Sequence, residues 1–146
     1  MKIAISSDHG GNNLRKEIMS LLDEMSISYE DFGPQTNDSV DYPDYARPVA
    51  ERVAAGEFDR GILICGTGIG ISIAANKVKG IRCALCFNVK MAEMAKKHEN
   101  PNILAIGADY LTKEEAFDIV KAWLKNSFEG DRHQRRIDKI KTYEEK

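Results

Sequence analysis

Short apolar runs alternate along the chain with longer stretches in which apolar residues recur every three or four positions. Runs of the first kind predict strands, and stretches of the second kind predict amphipathic helices. Strands that alternate with helices of this length form βαβ units, which bury a parallel sheet. The pattern therefore predicts a doubly wound α/β fold, with a five-stranded parallel sheet in a three-layer αβα arrangement. The predicted strands are Lys2–Ser7, Ser28–Phe32, Gly61–Cys65, Ile81–Cys86 and Ile103–Ile106; the predicted helices are Asn12–Met25, Tyr45–Ala55, Ile71–Val78, Val89–Lys97 and Lys113–Asn126.

The 146 residues are predicted to form one domain, because no internal repeat, low-complexity segment or linker interrupts the pattern. A last segment, at about 131–144, predicts a further helix that does not alternate with a strand. This helix is expected to reach a partner subunit.

Composition and charge exclude several classes of partner. The net charge of −2 argues against nucleic-acid binding, which requires a clearly basic face. The first residues do not resemble a signal peptide, and the longest uncharged run, Gly61–Asn76, is shorter than the roughly 20 residues of a membrane span. We therefore expect a cytoplasmic protein with no membrane partner. Three cysteines, an odd number, also argue against a disulfide framework.

Cys83 and Cys86 form a C-x-x-C motif, which in other settings binds metals or carries out redox chemistry. Here the motif lies in a predicted strand, where residues three apart point to opposite faces. The two thiols therefore cannot chelate one ion, and core packing is the favoured interpretation.

The stretch GILICGTGIGIS, Gly61 to Ser72, places a cysteine and three glycines between a predicted strand and a predicted helix. Glycines at such a junction let backbone N–H groups turn toward an anion. The dinucleotide fingerprint fails at Ile71, a P-loop would require a lysine, and a cysteine phosphatase loop would require an arginine within residues 66–76. The loop is thus predicted to hold an anion or oxyanion in another way.

Cys65 is the candidate base of this loop. The positive potential at the start of a helix favours a thiolate, which can remove a proton alpha to a carbonyl while N–H donors stabilise the enediolate. The alternative is a tight strand–helix turn with an inert buried cysteine. No metal and no cofactor are expected, because metal ligands at typical spacing are absent: Asp8 and His9 are adjacent and otherwise isolated.

The motifs SDHGG, SVDYPDYA, GILICGTGIGISIAANKVKGIRCAL and GDRHQRR occur in this order along the chain. In sequence and spacing they resemble the type B ribose-5-phosphate isomerases and their galactose-6-phosphate isomerase relatives, from Met1 to about Ile140. The resemblance implies a Rossmann-like fold, an aldose–ketose isomerase acting on a sugar phosphate, and a homodimer or dimer of dimers with shared active sites.

The resemblance also implies roles for individual residues. Cys65 would move the proton between C1 and C2, Thr67 would help to hold the enediolate oxygens, and His98 would open the furanose ring. The residues implied to bind the substrate are Asp8 and Tyr42 near the sugar, the backbone of Gly66, Gly68 and Gly70 at the oxygens, and His9, Arg132 and Arg136 at the phosphate. Arg132 and Arg136 are four apart, so on a helix they share one face, whereas Arg135 points elsewhere.

Two positions depart from the pattern of the family and add negative charge near a site for an anion. Glu99 stands where many members have an asparagine after the ring-opening histidine, so Asn100 is expected to take over that contact. Asp109 stands where many members have an arginine, which reverses the sign of a local interaction.

These departures leave several substrates and functions open. Ribose 5-phosphate is the favoured substrate, and a tetrose 4-phosphate, allose 6-phosphate or galactose 6-phosphate is the alternative. A sugar-phosphate sensor without activity is a further alternative, although a mere binder has no need of Cys65 and His98. A nicotinamide-dependent oxidoreductase is disfavoured because the dinucleotide fingerprint fails.

Overall fold

The computed structural model describes residues 1–145, which form five strands and six α-helices. Short 3₁₀ turns occupy His9–Gly11, Ala108–Tyr110 and Thr142–Glu145. None of the helices in this part of the chain is long and apolar enough to cross a membrane. In chain order the elements are β1 (Lys2–Ser7), α1 (Asn12–Glu24), β2 (Ser28–Asp31), α2 (Tyr42–Ala54), β3 (Arg60–Cys65), α3 (Ile69–Ala75), β4 (Cys83–Leu85), α4 (Val89–His98), β5 (Ile103–Gly107), α5 (Lys113–Lys125) and α6 (Arg132–Lys141).

The five strands form one parallel sheet in the order β2-β1-β3-β5-β4. The strand order changes direction between β1 and β3, because β1 pairs with β2 on one side and with β3 on the other. Ligands of such sheets bind beyond the carboxyl ends of the strands at this point. The predicted fold class and the number of strands are confirmed.

Helices cover both faces of the sheet, and alternate residues of the central strands point to one layer or the other. Ile62 and Ile64 of β3 pack against α1 and α5, where Trp123 is fully buried. Leu63 and Cys65 of the same strand pack against α2 and α3. The apolar run of β3 is continuous because both of its faces are buried.

Cys83 and Cys86 lie on opposite sides of the sheet, as the sequence predicts. Cys83 packs with the α2 and α3 layer, whereas Cys86 packs with the α1 and α5 layer. Burial raises the pKa of Cys83 to about 12 and that of Cys86 to about 11. Both thiols are therefore protonated near neutral pH and serve as apolar core.

The helix α2 begins three residues before its predicted start, at Tyr42 and not at Tyr45. Pro43 lies in its first turn, where proline is tolerated because the missing N–H has no partner in the helix. The helix α3, predicted as Ile71–Val78, begins two residues earlier, at Ile69, and ends three residues earlier, at Ala75. The predicted capping box of α5, formed by Thr112 and Glu115, is present with both of its hydrogen bonds.

Lys96, near the end of α4, is a buried cation whose ammonium group is hydrogen-bonded to a neutral side chain. The side chain is 5% exposed, and Nζ donates to Oδ1 of Asn100 at 2.9 Å. Burial first, and then repulsion by Arg60 and Arg82, lower its pKa from 10.5 to about 8. The folded protein therefore loses this proton at lower pH than the unfolded chain does.

We expect the stability of the wild-type protein relative to a Lys96→Met variant to rise between about pH 8 and pH 10.5. In that window the unfolded chain retains the lysine proton and the folded chain has lost it, so raising the pH favours folding. The expected gain is on the order of 1–3 kcal/mol. Urea unfolding of both proteins at pH 7.5 and pH 10 measures it; a difference that does not change with pH contradicts the assignment.

Candidate active site

Cys65 is the last residue of β3, at the edge of the sheet where ligands of parallel folds bind. Its side chain is almost fully buried, at 4% exposure. The Sγ atom accepts a hydrogen bond from the backbone N–H of Gly68 at 3.1 Å. This contact holds the sulfur at the mouth of the glycine loop, beside the start of α3. The geometry thus fits the base that the sequence predicts.

The loop from Gly66 to Gly70 folds tightly around Cys65. Oγ1 of Thr67 accepts from the N–H of Ile69 at 3.1 Å, which fixes the start of α3. Gly68 has φ +77°, and a Cβ at this position would lie 2.5 Å from Cδ1 of Leu85 and 2.9 Å from the carbonyl carbon of Ile106. Only glycine fits this turn, for reasons of both conformation and space.

A Gly68→Ala variant is expected to be several kcal/mol less stable than the wild type, because the left-handed conformation costs about 1–2 kcal/mol and the contacts add to it. Gly56→Ala is the matched control, since Gly56 has φ +80° with no atom within 4 Å of the added Cβ. Urea unfolding should give a clearly larger loss for Gly68→Ala. Equal losses for the two variants contradict the proposed close packing of this loop.

The turn after β1 brings Asp8 and His9 to the same edge. A Cβ on Gly10 would lie 3.3 Å from the backbone nitrogen of Gly66, so the turn contacts the glycine loop. Oδ1 of Asp8, a buried residue, accepts from the N–H of Gly11, which fixes the turn. Nδ1 of His9 accepts from the N–H of Val40 at 3.1 Å and ties the turn to the segment before α2.

Tyr42 and Asp109 border the glycine loop on its two sides. A Cβ on Gly70 would lie 2.6 Å from Cζ of Tyr42, so this ring lies directly against Gly70. A Cβ on Gly66 would lie 2.7 Å from Oδ2 of Asp109, whose backbone N–H donates to the carbonyl of Gly66. The carboxylate of Asp109 is therefore held beside the cysteine loop, as its position in the sequence suggests.

The structure places His98 at the opposite edge of the sheet from Cys65. Since α4 runs antiparallel to the strands, its last residue, His98, lies where β5 begins, whereas Cys65 pairs with Gly107 at the end of β5. Ten residues of helix span about 15 Å. Within one chain the predicted base and the predicted ring-opening residue thus belong to two separate groups of side chains.

Asn100 and the two predicted phosphate-binding arginines lie on the side of His98. Asn100 has φ +46°, and Oδ1 accepts from Lys96, so this oxygen is already engaged. Arg132 and Arg136 are exposed on α6 and lower the pKa of His133, which lies between them in sequence. The two arginines are thereby close to the imidazole that contacts His98.

His133 is the functional candidate that sequence reasoning missed. Its ring stacks on that of His98, with centroids 4.1 Å apart and planes 8° from parallel. Nε2 of His98 and Nε2 of His133 lie 3.7 and 3.6 Å from Oε1 of Glu129. In the sequence, only the four-residue spacing of Glu129 and His133 hints at this cluster, and such a spacing is a weak signal. The contact with His98 could not be predicted, because it joins segments that are distant in sequence.

Among residues 1–145, His98, Glu129 and His133 also form a group of possible metal ligands, because their nitrogen and oxygen atoms lie within 4.8 Å of one another. The lone pair of an imidazole nitrogen lies in the plane of its ring. A metal ion bound by both histidines would have to lie about 2.1 Å from each nitrogen and in the plane of each ring. The two rings are stacked nearly parallel, so their planes do not meet near the nitrogens and no such position exists. The arrangement fits two imidazoles that share a carboxylate better than a metal site.

Comparison with known proteins shows relatives that match this chain over almost its full length. A curated relative from Bacillus subtilis, a putative sugar phosphate isomerase, is 57% identical, with 100% of this chain and 99% of that protein covered. The structure of ribose-5-phosphate isomerase B from Clostridium thermocellum has a TM-score of 0.98 and 54% identity, over 99% of this chain and 98% of that one. The corresponding enzyme of Mycoplasma genitalium, solved with bound ribulose 5-phosphate, has a TM-score of 0.96 and 46% identity, over 99% and 97%.

The family match covers nearly the whole chain, including both groups of side chains described above. Residues 3–140 match the Ribose/Galactose Isomerase family, so the chain belongs to that family.

Proposed function

We propose that this protein interconverts ribose 5-phosphate and ribulose 5-phosphate through an enediolate, with Cys65 as the base. The observation that carries the proposal is the buried thiol of Cys65 within a loop of backbone N–H donors. A base of this kind and donors for a developing oxyanion are what proton transfer next to a carbonyl requires. The relative with bound ribulose 5-phosphate, 46% identical, supports the choice of substrate.

The reaction begins with ring opening. His98 donates a proton to the ring oxygen as the bond from that oxygen to C1 breaks, and the proton of the C1 hydroxyl passes to solvent, which leaves the aldehyde. Cys65 then removes the proton from C2, and the electron pair forms the C1–C2 double bond with negative charge on the C1 oxygen. Thr67 and the N–H groups of the loop stabilise this charge. A proton passes from the C2 hydroxyl to the C1 oxygen, Cys65 returns its proton to C1, and the ketose results.

One chain does not bring all of these groups together, so we propose that each active site lies between two chains. One chain supplies the glycine loop with Cys65 and Thr67, together with Asp8, His9 and Tyr42 at the same edge of the sheet. Its partner supplies His98, Arg132 and Arg136. The proposed assembly is a homodimer, or a dimer of such dimers, and α6 is the element that extends toward the neighbouring chain.

The charges of this site bear on which sugar phosphate is used. Asp109 places a carboxylate beside Gly66, where it can accept hydrogen bonds from substrate hydroxyls and repels a phosphate. The phosphate is therefore expected at the other end of the substrate, with His9 and the partner's arginine pair. Ribose 5-phosphate, with its phosphate on C5 far from the reacting carbons, satisfies this separation.

Proton NMR of the purified protein with ribose 5-phosphate, in heavy water that contains a chelator, tests the proposal. We expect ribulose 5-phosphate to appear with deuterium at C1, and deuterium to enter C2 of the recovered aldose. Conversion of a tetrose 4-phosphate or a hexose 6-phosphate, and not of ribose 5-phosphate, would move the assignment to that substrate. Binding without exchange for all of these sugars would instead favour a sensor.

A further inference from the structure

We propose that His133 and Glu129 are positioning residues for ring opening: His133 holds the ring of His98 in the orientation of a proton donor, and Glu129 places a carboxylate beside it. The inference rests on the proposed function, because it concerns the step that His98 performs. It assigns a role to two residues that lie outside the expected site.

The stacked rings fix the plane of His98. His98 is the last residue of α4, and its side chain is 30% exposed, so the helix alone leaves its ring free to turn. His133 is 5% exposed in its side chain and is anchored in α6 beside the buried Ile137. A ring stacked at 4.1 Å on this fixed surface loses most of its rotational freedom. The acid is then aligned before the sugar binds.

Glu129 provides the charge that a protonated imidazole needs. Its backbone N–H donates to the carbonyl of Lys97 at 3.0 Å, which ties the residue to the last turn of α4. Its Oε1 then lies 3.7 Å from Nε2 of His98. A carboxylate at this distance stabilises the positive charge on the ring.

His133 lies as close to the same oxygen, yet the environment disfavours its protonation. Desolvation first, then His98, Arg132 and Arg136, lower the pKa of His133, and Glu129 opposes them only in part. Nε2 of His133 has no hydrogen-bond partner within the described chain and is buried. Of the two imidazoles beside Glu129, His98 is the more exposed, at 30% against 5%, and it is the one that the sugar can reach.

Ring opening can be measured apart from proton transfer by comparing the reactions of ribose 5-phosphate and ribulose 5-phosphate. Ribose 5-phosphate is mainly a furanose and must be opened, whereas ribulose 5-phosphate is open-chain because its C5 oxygen carries the phosphate. Exchange of the C1 proton of ribulose 5-phosphate with heavy water requires only the enediolate. A positioning role in ring opening thus affects conversion of ribose 5-phosphate and leaves this exchange intact.

The test compares His133→Ala, His133→Phe and Glu129→Gln in both assays, with Glu30→Gln on the distant strand β2 as the control. We expect conversion of ribose 5-phosphate to fall about tenfold to a hundredfold in His133→Ala and Glu129→Gln, with exchange within about twofold of the wild type. His133→Phe keeps the stacked ring and should recover most of the conversion.

Each other outcome contradicts the inference. Wild-type conversion in both His133→Ala and Glu129→Gln overturns it, and so does an equal loss of conversion and exchange, which a merely structural role would cause. Because Glu129 is half exposed, Glu129→Gln is expected to fold even where His133→Ala does not. A wild-type protein inactive in both assays overturns the proposed function, and this inference with it.

Discussion

Replacement of Cys65 by alanine is expected to lower isomerisation by about a thousandfold, within the range of 10²–10⁴ that general bases contribute. The thiol is the proposed base, and its Sγ accepts a hydrogen bond from the N–H of Gly68 in the glycine loop. Alanine removes the base and leaves the backbone donors in place. Deuterium exchange into ribulose 5-phosphate should vanish, while binding of ribulose 5-phosphate, measured by calorimetry, should persist.

Cys83→Ala is the matched control for this prediction. Cys83 is a thiol at the start of the edge strand β4, and burial raises its pKa to about 12, so it is protonated at the pH of the assay. Its replacement should leave exchange within about twofold of the wild type, because it removes only one buried sulfur. If Cys65→Ala exchanges deuterium at the wild-type rate, the base has been assigned to the wrong residue.

Replacement of Arg132 or Arg136 by glutamine is expected to raise KM for ribose 5-phosphate by about tenfold to a hundredfold, with a smaller effect on kcat. A hydrogen bond between charged groups contributes about 1.5–3 kcal/mol. The proposed contact between arginine and phosphate is the same in the bound substrate and in the transition state. Loss of this contact therefore raises KM and has little effect on kcat. Steady-state kinetics of both variants measure the effect.

Arg135→Gln provides the control on the same helix. Arg135 is also exposed and carries the same charge, but it lies about 100° around α6 from its neighbour Arg136, so these two side chains leave the helix in different directions. A general effect of surface charge would raise KM in all three variants alike. That result would contradict a phosphate clamp formed by Arg132 and Arg136.

The fold was predictable because its signals are local and repeated. The strands β1, β3 and β5 are buried on both faces, so each one contains a continuous run of apolar residues in the sequence. The capping box at Thr112 marks the start of α5. The predicted start of α2 was three residues late, because the apolar periodicity does not mark the first turn, which Pro43 fits. Cys65 was predictable as well, because a strand, a cysteine, a glycine loop and a helix are contiguous in sequence.

The division of the site into two groups required the structure. Periodicity predicts where α4 ends, but which edge of the sheet that end occupies follows from the direction of the helix relative to β5. The stacking of His98 on His133 joins residues from two helices, and no pattern within either helix announces it. Glu129 enters the same cluster through a backbone hydrogen bond to Lys97, which sequence spacing does not reveal.

The central claim, an active site formed by two chains, is tested most directly by mixing a Cys65→Ala chain with a His98→Ala chain. Each variant alone lacks one essential group in every site. In a mixed dimer one site carries both substitutions and the other carries neither. Random association makes half of the dimers mixed, so co-expressed chains should recover about a quarter of the wild-type activity. Activity no higher than that of the separate variants would contradict the shared site.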